Sequence, residues 1–229
     1  ITTEGANNQI EYWSVDSLGN TETQVVVSAV KLDKTAPTGS IVINNGVTLT
    51  NLRAVTLKTT ASDSMSGVDK VRFSNDGVWD TELWENAVAT KAWNLTSGDG
   101  AKTVYYQIRD IAGLTASYSA AITLDTIAPT IDVSKTTLLG RYHMIILDAT
   151  GSTDSSGIVS YRWDCGDNRI ETGQTITHAY AYYGVYVITL TATDKAGNVA
   201  TKLLVATYPP EVADIYISPT PAVTNPTPT

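Results

Sequence analysis

What this chain of 229 residues lacks is informative. Its one cysteine, Cys165, rules out an intrachain disulfide and with it most small secreted folds that depend on such staples. Two histidines, His143 and His178, together with one cysteine are too few for a structural zinc site. No nucleophile sits on a strained elbow of the kind a Ser–His–Asp triad needs, and Cys165 has no base near it in the sequence. No stretch of 18 apolar residues could cross a membrane as a helix, and no run of 12 or more carries helical spacing. Basic residues are in deficit, 15 against 23 acidic ones, so the net charge of −8 repels phosphate backbones and excludes nucleic acid as a partner. Phenylalanine occurs once and methionine twice, whereas there are 35 threonines and many valines, isoleucines and tyrosines. These are strand formers, and the expected fold class is all-β.

One short pattern occurs three times. It reads Tyr12-Trp-Ser-Val-Asp16-Ser-Leu-Gly19-Asn20, then Tyr106-Gln-Ile-Arg-Asp110-Ile-Ala-Gly113, then Leu190-Thr-Ala-Thr-Asp194-Lys-Ala-Gly197-Asn198. Each is an alternating strand running into a tight turn, where Asp accepts backbone amides and Gly adopts positive φ. The three Asp residues are 94 and 84 residues apart, the length of one β-sandwich module. A second pattern, Leu32-Asp33-Lys-Thr-Ala-Pro37, returns 92 residues later as Leu124-Asp125-Thr-Ile-Ala-Pro129. Proline cannot donate to a sheet and keeps the preceding residue extended. Each join therefore reads as a last strand, a stiff hinge and the start of a new domain.

The resulting organisation is tandem Ig-like β-sandwiches. Residues 1–36 are the C-terminal strands of an Ig-like domain, 37–129 a whole Ig-like domain, 130–208 a second whole module, and 209–229 a linker holding six of the eight prolines. A two-stranded ribbon is not stable alone, so 1–36 are expected to belong to a domain whose first half lies outside this sequence, or to complete another molecule's sheet. Period-two alternation puts Val104, Tyr106 and Ile108 on one buried face, and likewise Val159, Tyr161, Trp163 and Cys165, and Ile188, Leu190 and Ala192.

The run from Asp148 through Trp163-Asp-Cys-Gly-Asp167, with Ile176-Thr-His-Ala-Tyr180 and Gly184-Val-Tyr186 leading to Asp194-Lys-Ala-Gly-Asn198, closely resembles the PKD (polycystic kidney disease) domain. Cys165 stands where that family usually has Phe, and Asn168 where Gly is common. Residues 37–129 and the half-module before them resemble Ig-like repeats of bacterial and archaeal surface proteins, on Asp63-x-x-Ser-Gly-Val68, the Asp110 turn and the Asp-x-x-Ala-Pro joins. These resemblances imply an extracellular array of the kind found in surface-layer proteins, adhesins and non-catalytic parts of secreted hydrolases.

No enzyme activity and no required cofactor are expected. Calcium is the one candidate ion, because loops rich in carboxylates and carbonyls can supply its six to eight oxygens. Its candidate ligands are Asp63, Asp69, Asp125, Asp148, Asp154 and Asp167, with Asp33 and Asp125 at the joins where an ion would stiffen an array. Turn formation alone accounts for Asp16, Asp110, Asp154 and Asp194. His178 is expected to be a hydrogen-bonding post between loop and strand. Trp79, Trp84 and Trp93 are candidate contacts for glycan or protein, against the simpler reading of edge and core packing. Asn94-Leu-Thr96 is the one N-glycosylation sequon, since Pro226 follows Asn225.

The expected role is a non-catalytic extracellular structural module of a cell-surface protein, in a surface layer, filament or stalk. It would act as a semi-rigid spacer and as a self-assembly or adhesion element, with itself or a neighbouring surface protein or glycan as partner. The alternative is a glycan- or protein-binding accessory region of a secreted hydrolase or adhesin.

Overall fold

The computed structural model describes residues 1–138 and 144–208. The expected linker 209–229 and His143 lie outside the described residues. Among the described residues no helix is long and apolar enough to cross a membrane. The chain divides into two compact units, one of Ile1–Pro129 with Asp154–Val159 and Thr193–Val199, the other built on Thr130–Thr153, Ser160–Ala192 and the strand from Ala200.

The first unit opens with an antiparallel ribbon of β1 (Gly5–Tyr12) and β2 (Val25–Leu32). Asp16 closes its turn, accepting the amides of Leu18 and Asn20 on Oδ1 and the Asn20 side-chain amide on Oδ2. Among the described residues no second sheet lies against the ribbon: Tyr12 and Ile10, which match Tyr106 and Val104 one repeat of the turn pattern on, are 56% and 42% exposed.

The rest of this unit is a sandwich. Its smaller sheet pairs β3 (Thr38–Ile43), β5 (Ala54–Ser62) and β7 (Thr90–Asn94). Its larger sheet runs β4 (Leu49–Thr50), β9 (Thr115–Leu124), β8 (Gly100–Asp110) and β6 (Val68–Ser74), with β4 parallel to β9 and the rest antiparallel. Strict alternation along β5 and β8 turns Val55, Leu57, Val104, Tyr106 and Ile108 inward, where they meet Ile41, Ile43, Val71, Phe73, Ile122 and Leu124. Phe73 stacks on Tyr106 with centroids 5.0 Å apart.

The second sandwich repeats this division. One sheet pairs β10 (Ser134–Leu138), β11 (Met144–Asp148) and β14 (Thr175–Ala179); the other runs β13 (Ile170–Thr172), β12 (Ile158–Asp164), β15 (Gly184–Asp194) and β16 (Val199–Tyr208). Ile145, Leu147 and Ile176 from the first face Trp163, Ile188, Leu190, Ala206 and Tyr208 from the second. The expected stripe is sealed only at Trp163 and Cys165: Tyr161 is half-buried, and Val159, next to the Gly157 turn at the start of β12, is 58% exposed. Asn168, in the place where Gly is common, adopts φ +67°, a left-handed conformation that Asn tolerates better than most residues.

Candidate functional site

Two groups of three carboxylates stand out, one at each join. Asp33, Asp63 and Asp110 can each place an oxygen within 4.8 Å of the other two, and so can Asp125, Asp154 and Asp194. The two groups are copies, with successive members 92, 91 and 84 residues apart. Each combines the Asp of a join, the Asp that begins the turn after β5 or precedes β12, and the Asp that ends β8 or β15.

Local backbone explains how these side chains are held. Asp63 Oδ1 accepts the amides of Met65, Ser66 and Gly67 at 2.8–3.1 Å, and Asp154 Oδ1 those of Ser156 and Gly157 at 2.8 and 3.0 Å. These are Asx turns, which require the following Gly67 and Gly157 at φ +86° and +89°. Asp33 accepts Thr35 N on Oδ1 and Ser66 N on Oδ2, both at 3.0 Å. Hydrogen bonding from Ser66 and Thr35 holds the Asp33 carboxyl below the usual range. Asp125 matches it, accepting Ile127 N on Oδ1 and Ser155 Oγ on Oδ2. Asp110 and Asp194, each 1% exposed, accept on Oδ1 the amides of Leu114 and Asn198.

The other acidic candidates are placed elsewhere. Asp69 forms a two-bond ion pair with Arg109 at 2.6 and 2.9 Å. Asp148 accepts Thr150 N and Thr175 Oγ1, and these bonds hold its carboxyl below the usual range. Asp167 accepts from Arg169 N and meets His178 Nε2 at 3.0 Å. The sequence reading names Asp63, Asp125, Asp154 and the join residue Asp33 as candidates, with turn formation also accounting for Asp154, and leaves Asp110 and Asp194 to turn formation alone. The signal that would have found them was the joint recurrence of all three positions.

The tryptophans part company. Arg72 lies over the rings of both Trp79 and Trp84, at 4.8 and 4.3 Å, and Arg109 over Trp84 at 4.5 Å. Opposite Gln107 and next to Asp69, these arginines share the outward face of β6 and β8, so cation–π stacking occupies a face of each ring. Trp93 points the other way, tilts against Phe73 and donates its Nε1–H to Asn75 Oδ1 at 2.9 Å. It lines a hollow with Asn75, Asp76, Glu82, Glu85 and Lys91. Asn94, the sequon residue, is exposed at the end of β7.

In the second sandwich, His178 is the buried post that was expected. It is 2% exposed, with Nε2 3.0 Å from Asp167 Oδ2 and Nδ1 3.5 Å from Glu171 Oε1. Tyr180 donates to the Cys165 carbonyl at 2.8 Å and stacks on Tyr186, while Trp163 Nε1–H donates to the Gly173 carbonyl at 2.9 Å. The Trp-Asp-Cys-Gly-Asp end of β12 is thereby tied to the His-x-Tyr segment. A family model described as the PKD domain matches residues 126–207. Residues 126–207 are a PKD domain.

Among solved structures, the chain is similar to the PKD1 domain of the Vibrio cholerae metalloprotease PrtV, at 31% identity over 36% of this chain and 98% of that one, with a TM-score of 0.32. It is also similar to the PKD1 domain of Vibrio anguillarum Epp, at 24% identity over 36% of this chain and 94% of that one, TM-score 0.33. A longer match is to the fibronectin(III)-like modules of Clostridium thermocellum CbhA, at 16% identity over 73% of this chain and 93% of that one, TM-score 0.44.

The PKD domain holds its one thiol inside the core. Burial, reinforced by the charges of Asp167 and Glu171, pushes Cys165 up to about 12, and burial also raises Tyr180 and Tyr208. A raised folded pKa means the native state holds protons that the unfolded chain releases. Stability from these groups is complete below about pH 9 and falls as pH rises toward about 12. Thermal unfolding followed by near-ultraviolet circular dichroism should show the midpoint dropping across that window. Native protein at pH 8 should resist alkylation by iodoacetamide and react promptly once denatured; rapid native labelling would contradict the buried assignment.

Proposed function

We propose that this chain is a non-catalytic extracellular structural module of a cell-surface protein, serving as a spacer and a self-assembly or adhesion element in a surface layer, filament or stalk. The observation that carries the reading is the repetition of one building plan. Two sandwiches follow one another, each with a three-stranded and a four-stranded sheet, and each is reached through the same Asp-x-x-Ala-Pro join. Repetition of a module with a short, proline-bearing join suits spanning and display. Membership of residues 126–207 in the PKD family supports an extracellular setting. The partner on this reading is another copy of the chain or a neighbouring surface component. Negative-stain micrographs and sedimentation velocity over a concentration series should show ordered association. A chain that stays monomeric at every concentration and binds no surface component overturns the reading.

One observation favours a second reading, an accessory region that binds glycan or protein. Trp93 and the polar side chains around it form a hollow with both an apolar wall and hydrogen-bonding groups. If that reading holds, Trp93→Ala abolishes retention on a glycan array, while Trp79→Ala, whose ring is stacked on Arg72, leaves retention unchanged.

A further inference from the structure

The geometry points to a calcium site formed by Asp33, Asp63 and Asp110, at the join and two turns of the first sandwich. It stands independently of the role proposed above.

The decisive atom is Asp110 Oδ2. Asp110 is 1% exposed; its Oδ1 accepts Leu114 N at 2.8 Å, and its Oδ2 is buried with no hydrogen-bond partner among the described residues. In both sister turns the corresponding oxygen is answered. Asn20 Nδ2 donates to Asp16 Oδ2 at 2.8 Å, and Asn198 Nδ2 donates to Asp194 Oδ2 at 2.8 Å. Leu114 occupies that position after Asp110 and has nothing to donate. A buried carboxylate oxygen without a donor carries its full desolvation penalty. Asp33 and Asp63 can each place a carboxylate oxygen within 4.8 Å of one of Asp110's, and none of the ion pairs among the described residues reaches any of the three. Repulsion and desolvation both call for a positive charge in the space they share.

Chemistry narrows that charge to a hard divalent cation. All three donors are carboxylates, which excludes a preference for soft metals. Calcium accepts oxygen ligands at about 2.3–2.6 Å in a flexible shell that water can complete, whereas magnesium demands near-ideal octahedral geometry and gives up its water reluctantly. The pinned Oδ1 atoms of Asp63 and Asp110 leave their second oxygens for the ion. Asp33 and Asp63 are only half-buried, so water can complete the coordination.

The second triad is the internal contrast. There Asn198 Nδ2 reaches Asp194 Oδ2 and the Asp125 and Ile127 carbonyls at 2.8, 2.8 and 3.2 Å. That amide already supplies positive hydrogen to the join, and the need for an ion is smaller. At the position that faces this second carboxylate oxygen the two copies differ as Leu114 against Asn198.

Isothermal titration of the full chain with CaCl2, and in parallel with MgCl2, tests this. A saturable calcium step in roughly the 10⁻⁴–10⁻³ M range of extracellular modules is expected, with magnesium much weaker. Asp33→Asn, at a half-buried position, should leave the circular-dichroism spectrum unchanged and weaken that step about tenfold or more through loss of one ligand charge. Leu114→Asn should weaken it too, by answering Asp110 Oδ2, and Asp194→Asn should leave it unchanged. The site is overturned if the folded chain shows no calcium step, if Asp33→Asn and Asp110→Asn both titrate like the parent, if only Asp194→Asn removes the step, or if magnesium binds as well as calcium.

Discussion

Trp163→Ala is expected to lower the thermal midpoint of the PKD domain by on the order of 20 °C. Trp163 is wholly buried, and Ile145, Leu147, Ile188 and Leu190 close around it from both sheets. Removing a buried Trp side chain costs about 3–5 kcal/mol through lost transfer energy and the cavity left behind. The indole N–H bond to Gly173 adds about 1 kcal/mol. A domain of this size has about 5–15 kcal/mol in all, and each kcal/mol moves its midpoint by about 4–8 °C. Calorimetry reads the shift directly. Trp163→Phe, which keeps most of the volume, should lose much less. A midpoint within a few degrees of the parent for the alanine variant would mean that Trp163 does not hold the two sheets together.

The second large effect belongs to the first sandwich and to a single methyl group. Gly39 lies in β3 opposite Ala61 of β5, and a Cβ there would stand 2.3 Å from the Thr60 carbonyl oxygen and 2.3 Å from Ile108 Cδ1. The side chain of Ile108 could rotate, but it is itself fully buried. The Thr60 carbonyl is backbone of the paired strand and also accepts from Tyr106 Oη at 3.3 Å, so it can retreat only if the pairing shifts. Overpacking of this kind costs about 1–3 kcal/mol and sometimes more; we expect Gly39→Ala to lie at the upper end. The neighbouring Ser40→Ala removes only an exposed hydroxyl contact to Thr60 Oγ1 and should change stability by less than about 0.5 kcal/mol. Equal stability of the two variants in urea titration would contradict the close approach of β3 to β5.

Gly39 also shows where sequence reading stops. The period-two stripes of β8 and β15 are visible in the sequence because both faces of a sheet write themselves into alternate residues, and every member of Val104, Tyr106, Ile108, Ile188, Leu190 and Ala192 is buried. The PKD motif is legible for a different reason: Trp163, His178 and Tyr180 stand at fixed spacings along the sequence, although β12 and β14 lie in different sheets. What a close backbone approach demands of Gly39 depends on the spacing between neighbouring strands, which no local pattern records. The arginine–tryptophan ladder was hidden in the same way. Arg72 and Arg109 belong to strands 37 residues apart, and only the β6–β8 register brings both to Trp84.

The carboxylate triads were half legible. Asp33 and Asp125 drew notice as join residues and Asp63 and Asp154 as loop carboxylates. Asp110 and Asp194 looked fully explained by their turns, because one oxygen of each is. The second oxygen matters only once three segments converge, and for Asp110 only because Leu114 stands where Asn20 and Asn198 stand in the other copies.

Diffraction from crystals of the full chain grown in millimolar CaCl2, collected at a wavelength where calcium scatters anomalously, probes the join most directly. We expect an anomalous peak about 2.3–2.6 Å from carboxylate oxygens of Asp33, Asp63 and Asp110. The same three side chains gathered around a lysine or an ordered water, with no anomalous peak among them, would contradict a cation-pinned join.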